Sequence, residues 1–316
     1  MRRLLWLLLP PLLACGKHAP PSPLRTLTIA TGPKGAVFYP LGVGLAEIYT
    51  RTIPNLHVTA RETNGAIANM DAIEKGEADL GFAQGDPAYT AFRSHTRDVP
   101  TPHSSLRAIG VLHASSLQIV VRRDSAIHRV TDLRGRRVGI GPAGSGTEMA
   151  AEIVLNAYGL TLQDILPEEL AFEDASNELV SRSLDAHFVM SSTPASAITR
   201  AGKEVGIRLL SVEPAVMRRI RRDHSFYHPA VVPGGTYVGQ PQDVQTLGVD
   251  NLLVCRATLE DDLALQLTRV LFESIDELAA RFHRAAQTID VDMAPATPIP
   301  LHPGAARFYR EWQLFR

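Results

Sequence analysis

The stretch RRVGIGPAGSGTEMAAEI, residues 136–153, passes from a strand-like apolar run through small residues into a helix-like run. Gly139, Gly141 and Gly144 have the G-x-G-x-x-G spacing of loops that bind dinucleotide phosphates. Such loops are followed, about twenty residues later, by an acidic residue at a strand end. Here LTLQDILPEE, residues 160–169, predicts a helix instead, and Pro142 stiffens the loop. The stretch therefore predicts a strand–loop–helix unit, and a dinucleotide enzyme is only an alternative.

The end of this loop, Ser145-Gly146-Thr147, has two interpretations. Ser145 followed three residues later by Glu148 has the spacing of a capping box, which stabilises a helix by about 1 kcal/mol. A helix start with two hydroxyls and spare N–H groups also suits a carboxylate ligand. Glu148 opposes that use, since it adds negative charge to the first turn. Spacing alone does not decide between the cap and the ligand site.

The same strand–loop–helix order occurs earlier in the chain. RTLTIA, residues 25–30, is followed by a small-residue loop and a helical pattern. Val138 follows Ile29 by 109 positions, and Asp185 follows Asp79 by 106 in a second helix–turn–strand pattern. We therefore predict two similar α/β lobes. Because ligands of open parallel sheets bind beyond the carboxyl ends of the strands, we expect a ligand cleft between the lobes.

The N-terminus predicts export and a lipid anchor. Two arginines precede an apolar run that is too short to span a bilayer, as in a secretory signal covering residues 1–14. Cys15 at the cut resembles the acylated cysteine of bacterial lipoproteins, and residues 15–23 form a tether. Acylation would leave Cys255 without a disulfide partner, because the chain has two cysteines.

Composition excludes several functions. Thirty-two basic and thirty-three acidic side chains give no field for nucleic acid. His224 and His228 have helical ligand spacing, but Pro229 disfavours a helix there and no third ligand is near, so we expect no metal. Spacing supports no activated nucleophile or close pair of carboxylates, so we expect no enzyme.

From Leu27 onward the chain resembles the TAXI family of substrate-binding proteins, which serve TRAP transporters. The segments that carry the resemblance are TGPKGAVFYPLG, ETNGAIANMDAIEKGEADLGFAQGD, DLRGRRVGIGPAGSGT, VVPGGTYVGQPQDVQTLGVDNLLV and LHPGAARFYRE. The resemblance implies an α/β type II periplasmic-binding-protein fold with two lobes, a two-segment hinge and no cofactor. We expect lobe one to comprise residues 24–114 and 245–316, including C-terminal helices from about Gln245, and lobe two to comprise residues 115–244.

The resemblance also implies a function. We expect a monomeric receptor that binds a small carboxylate or a glutamate-like amino acid, closes around it and delivers it to TRAP permease subunits. Its location would be the periplasm or cell surface of a bacterium, with Cys15 as a membrane anchor. A sensor that signals to a membrane partner is the alternative.

The family match selects the candidate ligand-binding residues, which lie at strand ends and helix starts. They are Gly35, Tyr39, Asn69 and Gln84 in the first lobe, and Ser145, Gly146, Thr147, Thr193 and Pro194 in the second. Asp86, next to Pro87, is interpreted as a helix cap. This chain departs from the family pattern at three places. The first loop commonly reads Gly-Gly-Thr-Tyr-Tyr in the family, whereas residues 35–39 here read GAVFY. The serines of the family patterns Gly-Gly-Ser-x-x-Asn and Gln-Ser-Asp are replaced by Ala66 and Gly85. These losses favour a ligand that is less polar than glutamate or is held mainly by lobe two.

Overall fold

Strands and helices alternate over most of the computed structural model, which describes residues 23–34, 36–93 and 105–314. The expected signal peptide, Cys15 and Gly35 lie outside the described residues. The strands are β1 (Arg25–Ala30), β2 (Leu56–Arg61), β3 (Leu80–Gln84), β4 (Leu106–Arg122), β5 (Arg137–Gly139), β6 (Leu166–Glu168), β7 (Ala186–Ser191), β8 (Ile207–Leu210), β9 (Tyr227–Val232) and β10 (Val244–Arg256).

The helices follow the strands as the periodicity predicts. They are α1 (Phe38–Thr52), α2 (Ala66–Glu74), α3 (Gly85–Arg93), α4 (Gly146–Ala157), α5 (Phe172–Ser181), α6 (Ser196–Val205), α7 (Pro214–Asp223), α8 (Asp261–Glu273), α9 (Ile275–Arg281) and α10 (Pro303–Leu314). None of the helices in the described ranges combines the length and apolarity needed to cross a bilayer.

The strands form one sheet in the order β2-β1-β3-β10-β4-β7-β5-β6, with β8 beside β4 and β9 beside β10. Parallel pairs, β1 with β2 and β3 at one end and β5 with β6 and β7 at the other, flank the antiparallel pair β4 and β10. These two long strands change partners along their length. Residues 251–255 of β10 pair with β3 and residues 244–249 pair with β9, so β10 passes from one end of the sheet to the other.

Separate apolar cores lie at the two ends of the sheet. One contains Ile48 and Phe82 together with residues of α8 and α10, and another contains Val154 and Phe188. All four of these side chains are almost fully buried. Because a domain is organised around its own core, this arrangement gives the molecule two lobes that β4 and β10 connect.

The predicted internal repeat extends to single hydrogen bonds. Asp79 immediately precedes β3, and its carboxylate accepts a bond from the backbone N–H of Thr28 in β1 at 2.8 Å. Asp185 immediately precedes β7 and accepts a bond from the N–H of Arg137 in β5 at 2.9 Å. Each aspartate thus fixes the edge of a strand pair in the same place in its lobe.

Two local expectations were wrong. Residues 160–169 contain a single 3-10 turn, Leu162–Asp164, followed by strand β6, and not a helix. Pro167 explains the difference: it disfavours helix at the residue before it and is tolerated in an edge strand such as β6. Gln245, expected to begin C-terminal helices, lies in β10, and the helices begin at Asp261.

Candidate functional site

A cavity lies between the lobes, where strand ends and helix starts meet. Its wall includes the first residues of four helices, Phe38 of α1, Ala66 of α2, Gly146 of α4 and Phe172 of α5. Gln84, the last residue of β3, also lines it. The site therefore lies at the carboxyl ends of the strands, as open α/β sheets predict.

The lining residues form pairs that follow the internal repeat. Gly146 follows Phe38 by 108 positions and Phe172 follows Ala66 by 106, while Met190 of β7 follows Gln84 by 106. Equivalent positions of the two lobes thus face each other across one cavity.

The electrostatic character of the cavity comes from its backbone. No aspartate, glutamate, lysine or arginine is among its lining residues in the part of the chain that the structure describes. Each helix N-terminus carries roughly half a positive charge from its unpaired N–H groups. Four such ends at one cavity favour an anion, and the acidic residues in the first turns of α4 (Glu148) and α5 (Glu173 and Asp174) reduce this effect. The polar side chains on the wall belong to Asn64, Gln84, Ser115, Ser145, Thr147 and Ser191.

Helix α4 begins with the predicted Ser145 cap, but the reciprocal half of the capping box is absent, because Glu148 accepts from the N–H of Gly144 and the N–H of Ser145 donates to the carbonyl of Pro142. The N–H of Glu148 donates to Oγ of Ser145 at 3.1 Å, and the N–H of Gly144 donates to the Glu148 carboxylate at 2.7 Å. Partial burial raises the pKa of Glu148. The N–H groups of Gly146 and Thr147 belong to the first turn and have no acceptor inside the helix. They are the donors that remain for a ligand.

The lobes touch each other around the cavity. Asn64 Nδ2 donates to the carbonyl of Ala143 at 3.1 Å, and the N–H of Ala68 donates to the carbonyl of Gly144 at 3.4 Å. A Cβ placed on Gly146 would lie 1.4 Å from Oε1 of Gln84, so glycine is the residue that permits this approach. These contacts belong to a closed cleft.

Closure leaves little space inside. The cavity measures about 40 Å³. One water molecule needs roughly 10–15 Å³ of such volume, whereas ligand pockets reach roughly 300–1,000 Å³. A ligand of several heavy atoms therefore requires the lobes to separate, or wall side chains to move, before it enters.

The predicted site residues are not all at the cavity. Gln84, Ser145, Gly146 and Thr147 line it, and Oγ1 of Thr147 also accepts a bond from the N–H of Met190 at 3.2 Å. The structure thus brings together one predicted residue of the first lobe and three of the second.

Tyr39 and Asn69 lie elsewhere. Phe38, not Tyr39, is the α1 residue on the cavity wall, and Tyr39 lies beside Lys34, whose Nζ is 5.8 Å from the ring centroid. Asn69 is fully buried and donates to the carbonyls of Thr31 and Phe82. Its amide joins the residue after β1 to the middle of β3, and Asn69 is not among the residues that line the cavity.

Thr193 and Pro194 also lie off the cavity wall. The second lobe contributes Met190 and Ser191, which are the last residues of β7, while Thr193 and Pro194 follow in the loop. That loop is held by the hydroxyl of Tyr237, which accepts a bond from the N–H of Ala195 at 2.8 Å.

Sequence reasoning missed the apolar wall, which includes Phe38, Phe172 and Met190. The internal repeat was the signal that could have found them, because Phe172 and Met190 repeat the positions of Ala66 and Gln84. Ser115 of β4 was also missed, since nothing in its local pattern distinguishes it from a core strand.

The histidines considered as metal ligands have other partners. Nδ1 of His224 lies 3.4 Å from the Asp86 carboxylate, and Nε2 of His228 lies 3.4 Å from that of Asp250. Asp86, expected as a cap, lies inside the first turn of α3. Within the described ranges, no group of three or more His, Cys, Asp or Glu side chains is placed to hold a metal ion.

A larger groove of about 660 Å³ lies on the other side of α4. Its wall carries four carboxylates and two basic side chains, namely Asp86, Glu148, Glu152, Asp223, Arg219 and His224. This groove disfavours an anion, whereas the cavity at the helix starts attracts one.

One feature of the structure favours the dinucleotide alternative, and another opposes it. Glu168 ends strand β6 and lies opposite Gly139 of β5, as the acidic residue of a dinucleotide fold would. The N-terminus of α4 is nevertheless covered by the other lobe, where Gly65 packs on Ser145 and Gln84 on Gly146. The closed cavity has no room for a pyrophosphate.

Comparison with known proteins gives one family and one fold. The NMT1-like family matches residues 29–312. The periplasmic binding protein BugD is 12% identical over 93% of this chain and 97% of its own, with a TM-score of 0.59. SsuA of Escherichia coli, a periplasmic aliphatic sulphonate binding protein, is 19% identical over 90% of this chain and 83% of its own, with a TM-score of 0.49.

A substrate binding protein of an amino acid ABC transporter is 13% identical over 82% of this chain and 100% of its own, with a TM-score of 0.48. The likeness to BugD shows the two-lobed fold of periplasmic binding proteins, with β4 and β10 as its two hinge segments.

Proposed function

The chain belongs to the NMT1-like family, and on that premise we propose that it is an extracytoplasmic solute receptor. The ligand is a small carboxylate or amino acid that binds in the cleft between the lobes. The observation that carries this proposal is the convergence of four helix N-termini on a cavity without charged lining side chains. Such a site stabilises a single negative group and needs no cofactor.

The ligand carboxylate is placed at the start of α4. The N–H groups of Gly146 and Thr147 donate to it, since they lack acceptors inside the helix. The body of the ligand lies against Phe38, Phe172 and Met190. This wall suits a ligand with an apolar middle, which agrees with the loss of polar residues from the first loop.

Binding is coupled to closure through the hinge. The proposed lobes, residues 24–114 with 245–316 and residues 115–244, are divided within β4 and at the start of β10. A ligand can contact both lobes only in the closed form, so it binds that form more tightly than the open one. Binding therefore shifts the population toward the closed form. No nucleophile or acid–base pair is needed for this function.

The partner is proposed from the sequence resemblance. A closed receptor, held at a bacterial membrane by acylated Cys15, presents its ligand to TRAP permease subunits. Ligand uptake into vesicles that contain the permease distinguishes this role from that of a sensor, which would bind the same ligand without supporting uptake.

Thermal melting of the protein from Gly16 onward tests the ligand class. The panel contains amino acids, monocarboxylates, dicarboxylates and NAD. A ligand at 100 times its Kd adds about 2.7 kcal/mol to the free energy of unfolding, which raises Tm by a few degrees. A shift with carboxylates or amino acids supports the proposal. A shift with NAD alone contradicts it.

A further inference from the structure

Two buried polar side chains next to the cavity have atoms without partners. Among the residues that the structure describes, seven buried side-chain nitrogen or oxygen atoms lack a hydrogen bond. Three of the seven belong to His113 and Asn251, namely both ring nitrogens of the histidine and Oδ1 of the asparagine. Both residues are at least nine-tenths buried.

These two residues are connected to the cavity wall. Asn251 of β10 donates from Nδ2 to the carbonyl of His113 at 2.7 Å and to Oγ of Ser115 at 2.8 Å. His113 and Ser115 are two positions apart on β4, where the register with β10 shifts, and the Asn251 amide bonds both residues. Ser115 lines the cavity.

The ring of Phe38 separates His113 from the cavity. It stacks on Phe82 with 4.9 Å between ring centroids and meets the His113 ring edge-on at 6.3 Å. Because Phe38 both lines the cavity and contacts the His113 ring, a ligand in the cavity would reach His113 only if the Phe38 ring moved aside.

The chemistry of the pair selects an uncharged group. Burial lowers the pKa of His113 to about 3, so its imidazole is neutral and offers one donor and one acceptor. Oδ1 of Asn251 adds an acceptor. A hydroxyl or a carboxamide satisfies such a set, whereas a second carboxylate brings no donor and meets an additional acceptor.

We propose that His113 and Asn251 form a subsite that hydrogen-bonds a hydroxyl or carboxamide at the far end of the ligand. This inference rests on the proposed function, which places the ligand carboxylate at α4. The ligand class then becomes a monocarboxylate with an uncharged polar end, such as an ω-hydroxy acid or a glutamine-like amino acid.

The test compares matched ligands on the wild-type protein by isothermal titration. Straight-chain acids of three to six carbons are used in three series: plain monocarboxylates, ω-hydroxy acids and dicarboxylates. For at least one chain length, the ω-hydroxy acid should bind at least tenfold more tightly than both of its analogues. Glutamine should likewise bind more tightly than glutamate.

Variants assign the preference to His113. His113→Phe should reduce the ratio between the hydroxy acid and the plain acid to about one, and His113→Gln should retain part of it. His187→Phe is the matched control: His187 is another fully buried histidine with an unpartnered Nδ1, but its Nε2 pairs with Oγ of Ser176 at 3.5 Å, whereas the His113 ring contacts Phe38 of the cavity wall. This variant should keep the wild-type ratio.

The outcomes separate the two proposals. Equal binding of the hydroxy and plain acids by the wild-type protein, or tighter binding of dicarboxylates, overturns the subsite and leaves the receptor function intact. No binding of any acid or amino acid overturns the proposed function as well. Because these arms use the wild-type protein, the subsite remains falsifiable even if His113→Phe does not fold.

Discussion

Ser145 illustrates how one residue serves both stability and the proposed site. The sequence left a cap and a ligand contact as alternatives, and the structure shows the cap while placing the residue on the cavity wall. The two uses need different properties of the side chain. A cap needs a small acceptor, whereas a carboxylate ligand needs the absence of negative charge.

Ser145→Asp should separate these properties. Aspartate caps a helix as well as serine does, so the free energy of unfolding should change by no more than about 0.5 kcal/mol. The added charge should weaken carboxylate binding at least tenfold, about 1.4 kcal/mol. Urea unfolding and calorimetric titration measure the two effects. Ser145→Ala is the control, which should lose about 1 kcal/mol of stability. Unchanged binding by Ser145→Asp would place the ligand elsewhere.

Gly146→Ala should impair closure. The added Cβ would lie 1.4 Å from Oε1 of Gln84, so either Gln84 leaves its position or the lobes stop short of each other. Ligand affinity should fall about tenfold in a titration, equivalent to about 1.4 kcal/mol. Gly202→Ala in α6 is the matched control, since its Cβ meets Ile207 at an ordinary 3.6 Å. If both variants bind like the wild type, the Gly146 contact is not part of the bound state.

At the residue scale, the expected ligand residues line the cavity where they lie at the start of a helix, and one lies away from it where packing decides. The loop that opens α4 left Ser145, Gly146 and Thr147 as either a cap or a ligand contact, the family resemblance selected them as contacts, and they line the cavity. Asn69 matched a family pattern, but its amide is used to join β1 and β3. Whether a polar side chain in a helix faces a cavity or a strand end depends on packing that spacing does not contain.

At the scale of elements, α3 and α7 make a charged contact beside the cleft. His224 caps the end of α7, and its ring lies 3.4 Å from the carboxylate of Asp86 in α3. The hydrogen bond with Asp86 raises the pKa of His224 above its usual value of 6.5. The proposed lobes contribute one helix each, so the pair supports the closed arrangement.

This contact should make ligand affinity depend on pH. Because the pKa of His224 is raised in the closed form, the contact between His224 and Asp86 stabilises that form fully below pH 6.5. This stabilisation is lost as pH rises through the raised pKa. Ligand affinity should therefore decrease as pH is raised from 6 to 8.5, and His224→Gln should make affinity less dependent on pH. His228→Gln is the control, since His228 pairs with Asp250 across the hydrogen-bonded strands β9 and β10, which stay paired in either arrangement of the lobes. An unchanged profile in His224→Gln would show that the pair forms equally in both states.

The elements themselves were largely predictable, for a physical reason. Asp79 and Asp185 each follow a helix and precede an apolar run, and each fixes its strand by the same backbone hydrogen bond. The segment at 160–169 was mistaken for a helix because its apolar residues have helical spacing. Pro167 decided the outcome, since strand β6 needs no N–H from it at the sheet edge.

For the whole molecule, the repeat predicted two lobes, and the structure adds how they are joined. β4 and β10 pair with strands of both lobes, so any motion of one lobe relative to the other bends these two strands. The sequence did not predict the degree of closure, because contacts such as Asn64 with Ala143 link residues far apart in the chain. The small cavity is the direct consequence of that closure.

The most direct test of ligand-coupled closure is a distance between the two rims of the cleft. Spin labels on cysteines at Glu62 and Glu169, which are exposed on opposite rims, leave buried Cys255 unlabelled. Double electron–electron resonance should give a broad distribution with long distances in the free protein. A saturating carboxylate ligand should give a narrow distribution centred at a shorter distance. An identical distribution with and without bound ligand would contradict closure as the response to binding.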